Sequence, residues 1–326
     1  MNKFLKYLCV ITVAVLIVLS VAFWGIRSMV GGVVVVEEAL PGDGDYYEEE
    51  LPVEFTVATY NIQGRPVIDD TQGKFPEIGR RSNRFDIVGF QECFVNYDYL
   101  WRTLNHPVKV FDGTFRGITK PVGSGLSTVG SFPLNEVVQM HFSSKGELQN
   151  RPASKGILLV RFDIGGHNVD VYNTHMEAGS SEDAQEARWL QVEELVGFVA
   201  DNSPPEHSVI FLGDFNMSPL RDYHDDDTVT SRQLGFQAMM DGLGEGFYDA
   251  SDEVQGVPDP ETVGEGDPAW FRSGVENVDR VLYRAGQGAS LIPLQWERLR
   301  EEFRDDEGNY LSDHDPISVR FLLESL

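Results

Sequence analysis

VIFLGDFNMSP, residues 209–219, is a short apolar run that stops at Asp214 and Asn216. An uninterrupted apolar run of this length, bounded by turn residues, reads as a buried strand. Polar side chains just past its end are held by a rigid element yet face solvent or substrate, where a phosphate-ester hydrolase keeps a metal ligand and a general base. LSDHDPISVRF, residues 311–321, sets Asp313 and His314 beside another such run. The pattern recurs in FTVATYNIQG (55–64) with Asn61, DIVGFQE (86–92) with Glu92, VDVYNTHMEAG (169–179) with His175 and ENVDRVLY (276–283) with Asp279. One instance alone is weak, because strands often end in Asn, Asp or His simply to open a turn. Six of them, each carrying a different part of one hydrolytic apparatus, are read together as a site.

Hydrolysis of a phosphate ester needs charge neutralisation on the phosphoryl oxygens, a deprotonated water in line with the leaving group, and a proton or metal for the leaving oxygen. A hard divalent cation takes oxygen ligands: Glu92 supplies one, and Asn61 stands beside it as a second oxygen or as an orienter of water. So sparse a ligand set favours Mg²⁺, with Mn²⁺ as an alternative, over a zinc cage. His314 is the expected general base, since imidazole titrates near neutral pH and a carboxylate partner fixes its tautomer. Asp279 is the expected partner.

Taken in order, NIQG, QE, NTH, GDFN, VDR and SDHDP resemble the endonuclease/exonuclease/phosphatase superfamily, which includes pancreatic-type deoxyribonucleases, abasic-site endonucleases, inositol polyphosphate phosphatases and neutral sphingomyelinases. The likeness covers residues 55–321, and GDFN with SDHDP is its specific part. It implies an α/β chain folded as a four-layer sandwich of two packed mixed β-sheets flanked by helices. It also implies roles: His314 paired with Asp279, Asp313 as an additional metal-linked acid, and His175, Asn216 and Asn61 on the phosphoryl oxygens. Asp214 would orient the attacking water or serve the leaving group.

RPASKGILLVRF (151–162) resembles a sphingomyelinase segment in which a lysine lies near the substrate phosphate, and Lys155 matches it. The other reading of Lys155 is a strand-edge lysine that resists edge pairing. Residues 174–195 resemble the helix that follows the catalytic histidine in the same enzymes. Two positions depart from the pattern: Arg280 stands where tyrosine or isoleucine is frequent, and Asp315 where sphingomyelinases often have an aromatic residue. A lipid phosphodiesterase is therefore preferred. An exported nuclease, an inositol-type phosphomonoesterase and an inactive binding module stay open.

Composition limits these choices. The chain has 326 residues, 41% of them hydrophobic, enough for one large core. Its net charge is −26, with no basic stripe of the kind that grips a nucleic-acid backbone, which lowers the nuclease reading. The cysteines are Cys9, in the apolar N-terminal run, and Cys93, so the soluble part forms no internal disulfide. Cys93 beside Glu92 reads as a packing residue rather than a nucleophile.

Residues 7–26, YLCVITVAVLIVLSVAFWGI, carry no charge and are long enough to span a bilayer. An uncleaved transmembrane anchor is preferred over a signal segment cleaved near Ser20 and Ala22. Basic residues before the run leave 1–6 in the cytoplasm and place the catalytic domain, 55–326, on the extracytoplasmic side, secreted if the segment is cleaved. Residues 37–54 read as an acidic tether. The expected partners are the phosphate-ester substrate and the membrane, with the chain a monomer.

Helices are expected at 76–84, 97–104 and 180–200, the last capped by Ser180 with Asp183 and burying Ala184, Ala187, Leu190, Leu195 and Val199. A hairpin is expected to turn at Gly165 and Gly166. His106, His141, His167, His207 and His224 read as packing or surface residues. DYHDDDT, 222–228, lacks the glycine and distal glutamate of a calcium loop and reads as a solvated insertion. Trp270 and Phe271 read as a loop plug or a lipid contact.

Overall fold

The computed structural model describes residues 32–38, 50–114, 122–144, 146–147, 153–219, 231–256 and 278–326. The expected membrane segment, His224 with its acidic neighbours, and the Trp270–Phe271 pair lie outside these residues. Among the described residues no helix is long and apolar enough to cross a membrane.

Thirteen strands are described: β1 (Val33–Glu37), β2 (Val53–Asn61), β3 (Ile87–Gln91), β4 (Val108–Asp112), β5 (Ser127–Gly130), β6 (Leu134–His141), β7 (Gly156–Ile164), β8 (His167–His175), β9 (Ser208–Asp214), β10 (Tyr248–Asp249), β11 (Asp279–Arg284), β12 (Ala289–Arg298) and β13 (Ile317–Ser325). They form one sheet in the order β1-β4-β5-β3-β2-β13-β12 and a second in the order β10-β11-β9-β8-β7-β6. Both are mixed: β2–β3 and β8–β9 are parallel, whereas neighbours such as β13–β2 and β9–β11 are antiparallel. The helices are α1 (Thr71–Ser82), α2 (Tyr97–Trp101), α3 (Glu182–Asn202), α4 (Ser231–Leu243) and α5 (Ala250–Gln255).

Strand alternation separates the layers, because successive side chains point to opposite faces. Phe55 and Val57 of β2, Ile87 of β3, Val169 and Val171 of β8 and Ile210 and Leu212 of β9 fill one core between the sheets. Their neighbours face outward: Ala58, Tyr60, Val88 and Phe90 pack with Phe75, Ile78 and Leu100 of α1 and α2. Tyr172, Val209 and Phe211 pack with Val192, Leu195 and Phe198 of α3 and with Phe236 and Met239 of α4. The expected four layers are thereby present.

Several expected boundaries move. α1 starts before Pro76, because Asp70 caps it by accepting from the Gly73 N–H, and Pro76 lies inside the helix. α2 ends at Trp101. α3 is capped by Ser181, which accepts from the Ala184 N–H, so Ser180 lies one residue too early. Leu190 is 43% exposed, and Arg188 is buried on that face instead. β1 pairs with β4 and puts Glu37 in the sheet, while β2 already includes Val53 and Glu54, so strands occupy both ends of the expected tether. The hairpin turns at Gly165 and Gly166 as expected, both at positive φ, the backbone that a two-residue hairpin loop needs.

Candidate active site

Along the inner faces the side chains change from apolar to polar toward one end of the sandwich. β2 runs Phe55, Val57, Thr59, Asn61; β3 runs Ile87, Gly89, Gln91; β8 runs Val169, Val171, Asn173, His175; β9 runs Ile210, Leu212, Asp214. His175 is in register with Asp214, and Asp214 with Asp279, the first residue of β11. Asn61 is in register with Gln91, which precedes Glu92. The 311–316 segment leads into β13, whose Ile317 is in register with Thr59, and so brings Asp313 and His314 to the same end.

The site therefore joins two half-sites. Asn61, Glu92, Asp313 and His314 come from the seven-stranded sheet, while His175, Asp214, Asn216, Asp279 and Lys155 come from the six-stranded one. Two bonds cross between them: His314 Nδ1 lies 2.7 Å from Asp279 Oδ2, and Asn61 Nδ2 donates to Asp214 Oδ2 at 3.0 Å. His314 Nε2 lies 3.9 Å from Asp214 Oδ2. Asn216 donates from its backbone N–H to Asp214 Oδ1 and from Nδ2 to the Met176 carbonyl.

Backbone strain concentrates here. Gln63, Glu92 and Asn216 have φ of 50°, 55° and 51°, a left-handed region that costs energy for residues with a Cβ. The Gly64 N–H donates to the Glu92 carbonyl at 2.9 Å, and a Cβ on Gly64 would lie 2.5 Å from that oxygen, so only glycine permits the approach.

Burial and crowding set the charges. Burial and the nearby Asp279 carboxylate push Asp214 up to about 6. Burial also raises Glu92, against the pull of Lys155 and the Asn61 amide. At His314 burial works downward, but the charge and hydrogen bond of Asp279, with Asp214 and Asp313, outweigh it and push the ring up to about 10. A divalent cation among these carboxylates would oppose the imidazolium and move that value down. His175 is held well below its usual range by burial and by Lys155 and His314. Lys155 Nζ lies 3.0 Å from His175 Nε2 and donates to the Met176 carbonyl. Burial lowers the Lys155 pKa; while it is an ammonium, Nζ donates and His175 Nε2 accepts. Nε2 also lies 3.5 Å from Asp214 Oδ2, and Nδ1 is buried with no hydrogen-bond partner.

Asp214, Asp279 and His314 bring ligand atoms within 4.8 Å of one another. This trio differs from the expected Glu92, Asn61 and Asp313. Asp313 is exposed, and its carboxylate accepts from Gln63 Nε2 at 2.9 Å. Oxygen donors dominate the trio and its neighbour Glu92, and burial and crowding raise Asp214 and Glu92, which fits a hard divalent cation.

Lys155 is 7% exposed and leads into β7, an interior strand, so it guards no edge. Cys93 is fully buried, and desolvation raises its thiol far above the reactive range, which agrees with packing. His106, His141, His167 and His207 bond within the fold, to the Phe85 carbonyl, Asp112, Ser208 and Asp170. Arg280 alternates outward from Asp279, bonding to Asp249 and lying over the Phe236 ring, and Asp315 bonds to Arg298. Neither departure from the family pattern points at the cluster. Sequence reasoning missed Gln63, which a glutamine beside Asn61 hardly announces. It also missed buried Glu177, whose N–H donates to Gln191 Oε1 and whose carbonyl accepts from Arg188.

Fold and site together define a two-sheet α/β sandwich with a histidine–carboxylate pair and an oxygen-rich cluster that could hold a cation at one end. The model of the Endonuclease/Exonuclease/phosphatase family matches residues 58–314, and the chain belongs to that family. A sphingomyelinase of Mycobacterium tuberculosis is 27% identical over 287 residues, 85% of this chain and 54% of the relative. The chain thus spans about half the length of that curated relative. Two solved structures share the fold: zebrafish (D. rerio) TDP2 complexed with single strand DNA product (TM-score 0.58, 16% identity, covering 82% of this chain and 98% of that one) and a Staphylococcus aureus beta toxin variant with bound magnesium ions (TM-score 0.56, 19% identity, covering 84% and 100%).

Proposed function

We propose that the chain is a Mg²⁺-dependent phosphodiesterase acting on a lipid headgroup, with sphingomyelin as the preferred substrate. The observation that carries this reading is the 2.7 Å bond between His314 Nδ1 and Asp279 Oδ2, made where Asp214, Asn61 and Glu92 converge. With Nδ1 committed to Asp279, His314 Nε2 takes the proton of the attacking water as its oxygen bonds to phosphorus and the bond to the leaving oxygen breaks. Asp279 holds the ring's orientation and balances its charge. Asp214 orients the water or serves the leaving oxygen. Asn216 and Lys155 donate to the phosphoryl oxygens as their charge grows, with His175 Nε2 beside Lys155 Nζ and Asp214 Oδ2 to orient that end of the phosphate site. Glu92 and Asn61, with Asp313 nearby, would hold the cation, and Mg²⁺ or Mn²⁺ would supply positive charge to the phosphoryl group.

The sphingomyelinase relatives and the net charge of −26 both favour a lipid headgroup over a polyanion. Residues 7–26 would anchor the chain with the domain on the extracytoplasmic side, or be removed to release it, and a monomer suffices because both half-sites lie on one chain. The test uses the full-length protein in detergent against sphingomyelin, phosphoinositides, and single- and double-stranded DNA, each with Mg²⁺ and with EDTA. Mg²⁺-dependent cleavage of sphingomyelin above the others is expected. Activity indifferent to EDTA would refute the cation, turnover retained in His314→Ala would refute the base, and faster cleavage of DNA would make the chain a nuclease.

A further inference from the structure

Beneath the site, three polar side chains occupy inner-face positions that are apolar one step further down each strand. Thr59, Gln91 and Asn173 are each 0% exposed. Gln91 Nε2 of β3 donates to Asn173 Oδ1 of β8 at 2.8 Å and also to Thr59 Oγ1 and the Gly89 carbonyl. Asn173 Nδ2 returns across the same gap to the Phe90 and Ser127 carbonyls at 3.1 and 3.0 Å. These amides tie one sheet to the other, one residue before Glu92 and two before His175. Gly89 makes the approach possible: a Cβ there would lie 3.0 Å from Leu212 Cβ and 3.2 Å from Asn173 Cγ.

We propose that Gln91 and Asn173 are positioning residues, an amide staple that sets the spacing of the two half-sites and thereby places Glu92 and Asn61 against His175, Asp214 and Asp279. The inference rests on the phosphoesterase reading for its kinetic consequences but not for its geometry. Gln91 Oε1 stays buried without a partner, a cost that an apolar pair would avoid. What the amides supply is therefore direction: several donors and acceptors that fit at only one sheet-to-sheet offset, in a core whose other contacts are non-directional. Both cross-sheet bonds of the site depend on that offset.

The test compares Gln91→Met, Gly89→Ala and the double variant Gln91→Met/Asn173→Leu in the full-length protein. It measures kcat, Mg²⁺ affinity of the metal-free protein by calorimetry, and thermal unfolding. Gln91→Met is expected to lower kcat about tenfold or more and to weaken Mg²⁺ binding several-fold. Gly89→Ala keeps every staple group but pushes the strands apart, so it should do the same, and it serves where Gln91→Met does not fold. The double variant removes the orphaned Asn173 Oδ1 but also the donor to the Phe90 and Ser127 carbonyls, so thermal stability should stay below wild type while kcat and Mg²⁺ affinity stay low. Recovery of both along with stability, or variants that unfold at lower temperature with unchanged kcat and Mg²⁺ binding, would overturn the proposal by reducing the staple to packing. Absence of wild-type turnover on every phosphodiester would instead remove the functional reading, and the calorimetric comparison would still decide the staple.

Discussion

Replacing Asp279 by asparagine keeps the size of the side chain and removes its charge, and so isolates what the carboxylate does for His314. The wild-type bond is 2.7 Å long, and Asp279 is 2% exposed, so water cannot substitute for the lost charge. Two effects add. The Coulombic support that keeps His314 basic disappears, and an asparagine amide can turn its NH₂ toward Nδ1, moving the ring proton to Nε2, the atom that must accept from water. General-base catalysis is worth about 10²- to 10⁴-fold, so with the wrong tautomer favoured kcat should fall about 10³- to 10⁴-fold. That corresponds to about 4 to 5.5 kcal/mol of transition-state stabilisation. Steady-state kinetics at saturating Mg²⁺ would measure it, with a thermal melt to confirm folding. If the two residues act as one unit, His314→Ala/Asp279→Asn should be no slower than His314→Ala alone. A loss smaller than tenfold, or penalties that simply multiply, would show that the bond does not support the base.

Mg²⁺ should raise the unfolding temperature in a concentration-dependent way and EDTA should reverse it, since a ligand that binds only the folded state stabilises by mass action; a melt that ignores Mg²⁺ would contradict the cation cluster. Arg188→Met should destabilise the fold by about 2 to 4 kcal/mol in urea unfolding, because NH1 of this 2%-exposed side chain donates to the Glu177 and Gly179 carbonyls, which would be left without it. His106 is buried, and desolvation holds its ring below the usual value, so its folded pKa is the lower one. Its contribution to stability is complete above the unfolded value near 6.5 and declines as pH falls below it, by about 1.4 kcal/mol per unit until the folded value is reached. The urea midpoint should fall between pH 7 and 5, and His106→Gln should reduce that slope.

How far the chain could be read in advance follows from which features are local. Apolar runs ending in Asn61, Glu92, His175 and Asp214 are local, and each proved to be a strand delivering its terminal residue to one end of the sandwich. The turn at Gly165 and Gly166 was legible for the same reason, because the glycines state their backbone directly. Helix starts were less legible: Asp70 and Ser181 compete with neighbours of equal capping ability, and tertiary packing chooses among them. Arg188 was hidden because an arginine on a helix face is ordinarily solvated, whereas this one is buried with the Glu177 and Gly179 carbonyls among its partners.

Least legible was the way the half-sites meet, and that is where chemistry is decided. Strand periodicity places Asp279 and His314 at strand ends but says nothing of the gap between two sheets, which depends on every side chain in the shared core. The two departures from the family pattern are settled locally, Arg280 by alternation within β11 and Asp315 by its ion pair with Arg298 in the irregular 311–316 segment. One step along β11 turns Arg280 toward Asp249 and Phe236, and Asp315, next to His314, bonds to Arg298. Their unusual character therefore bears on how the outer layers hold the site's strands and not on what the cluster touches. On the phosphodiesterase reading, substrate preference must then be sought in residues beside the cluster, and Gln63, which donates to Asp313, and Lys155, which lies against His175, are where substitution should alter it first.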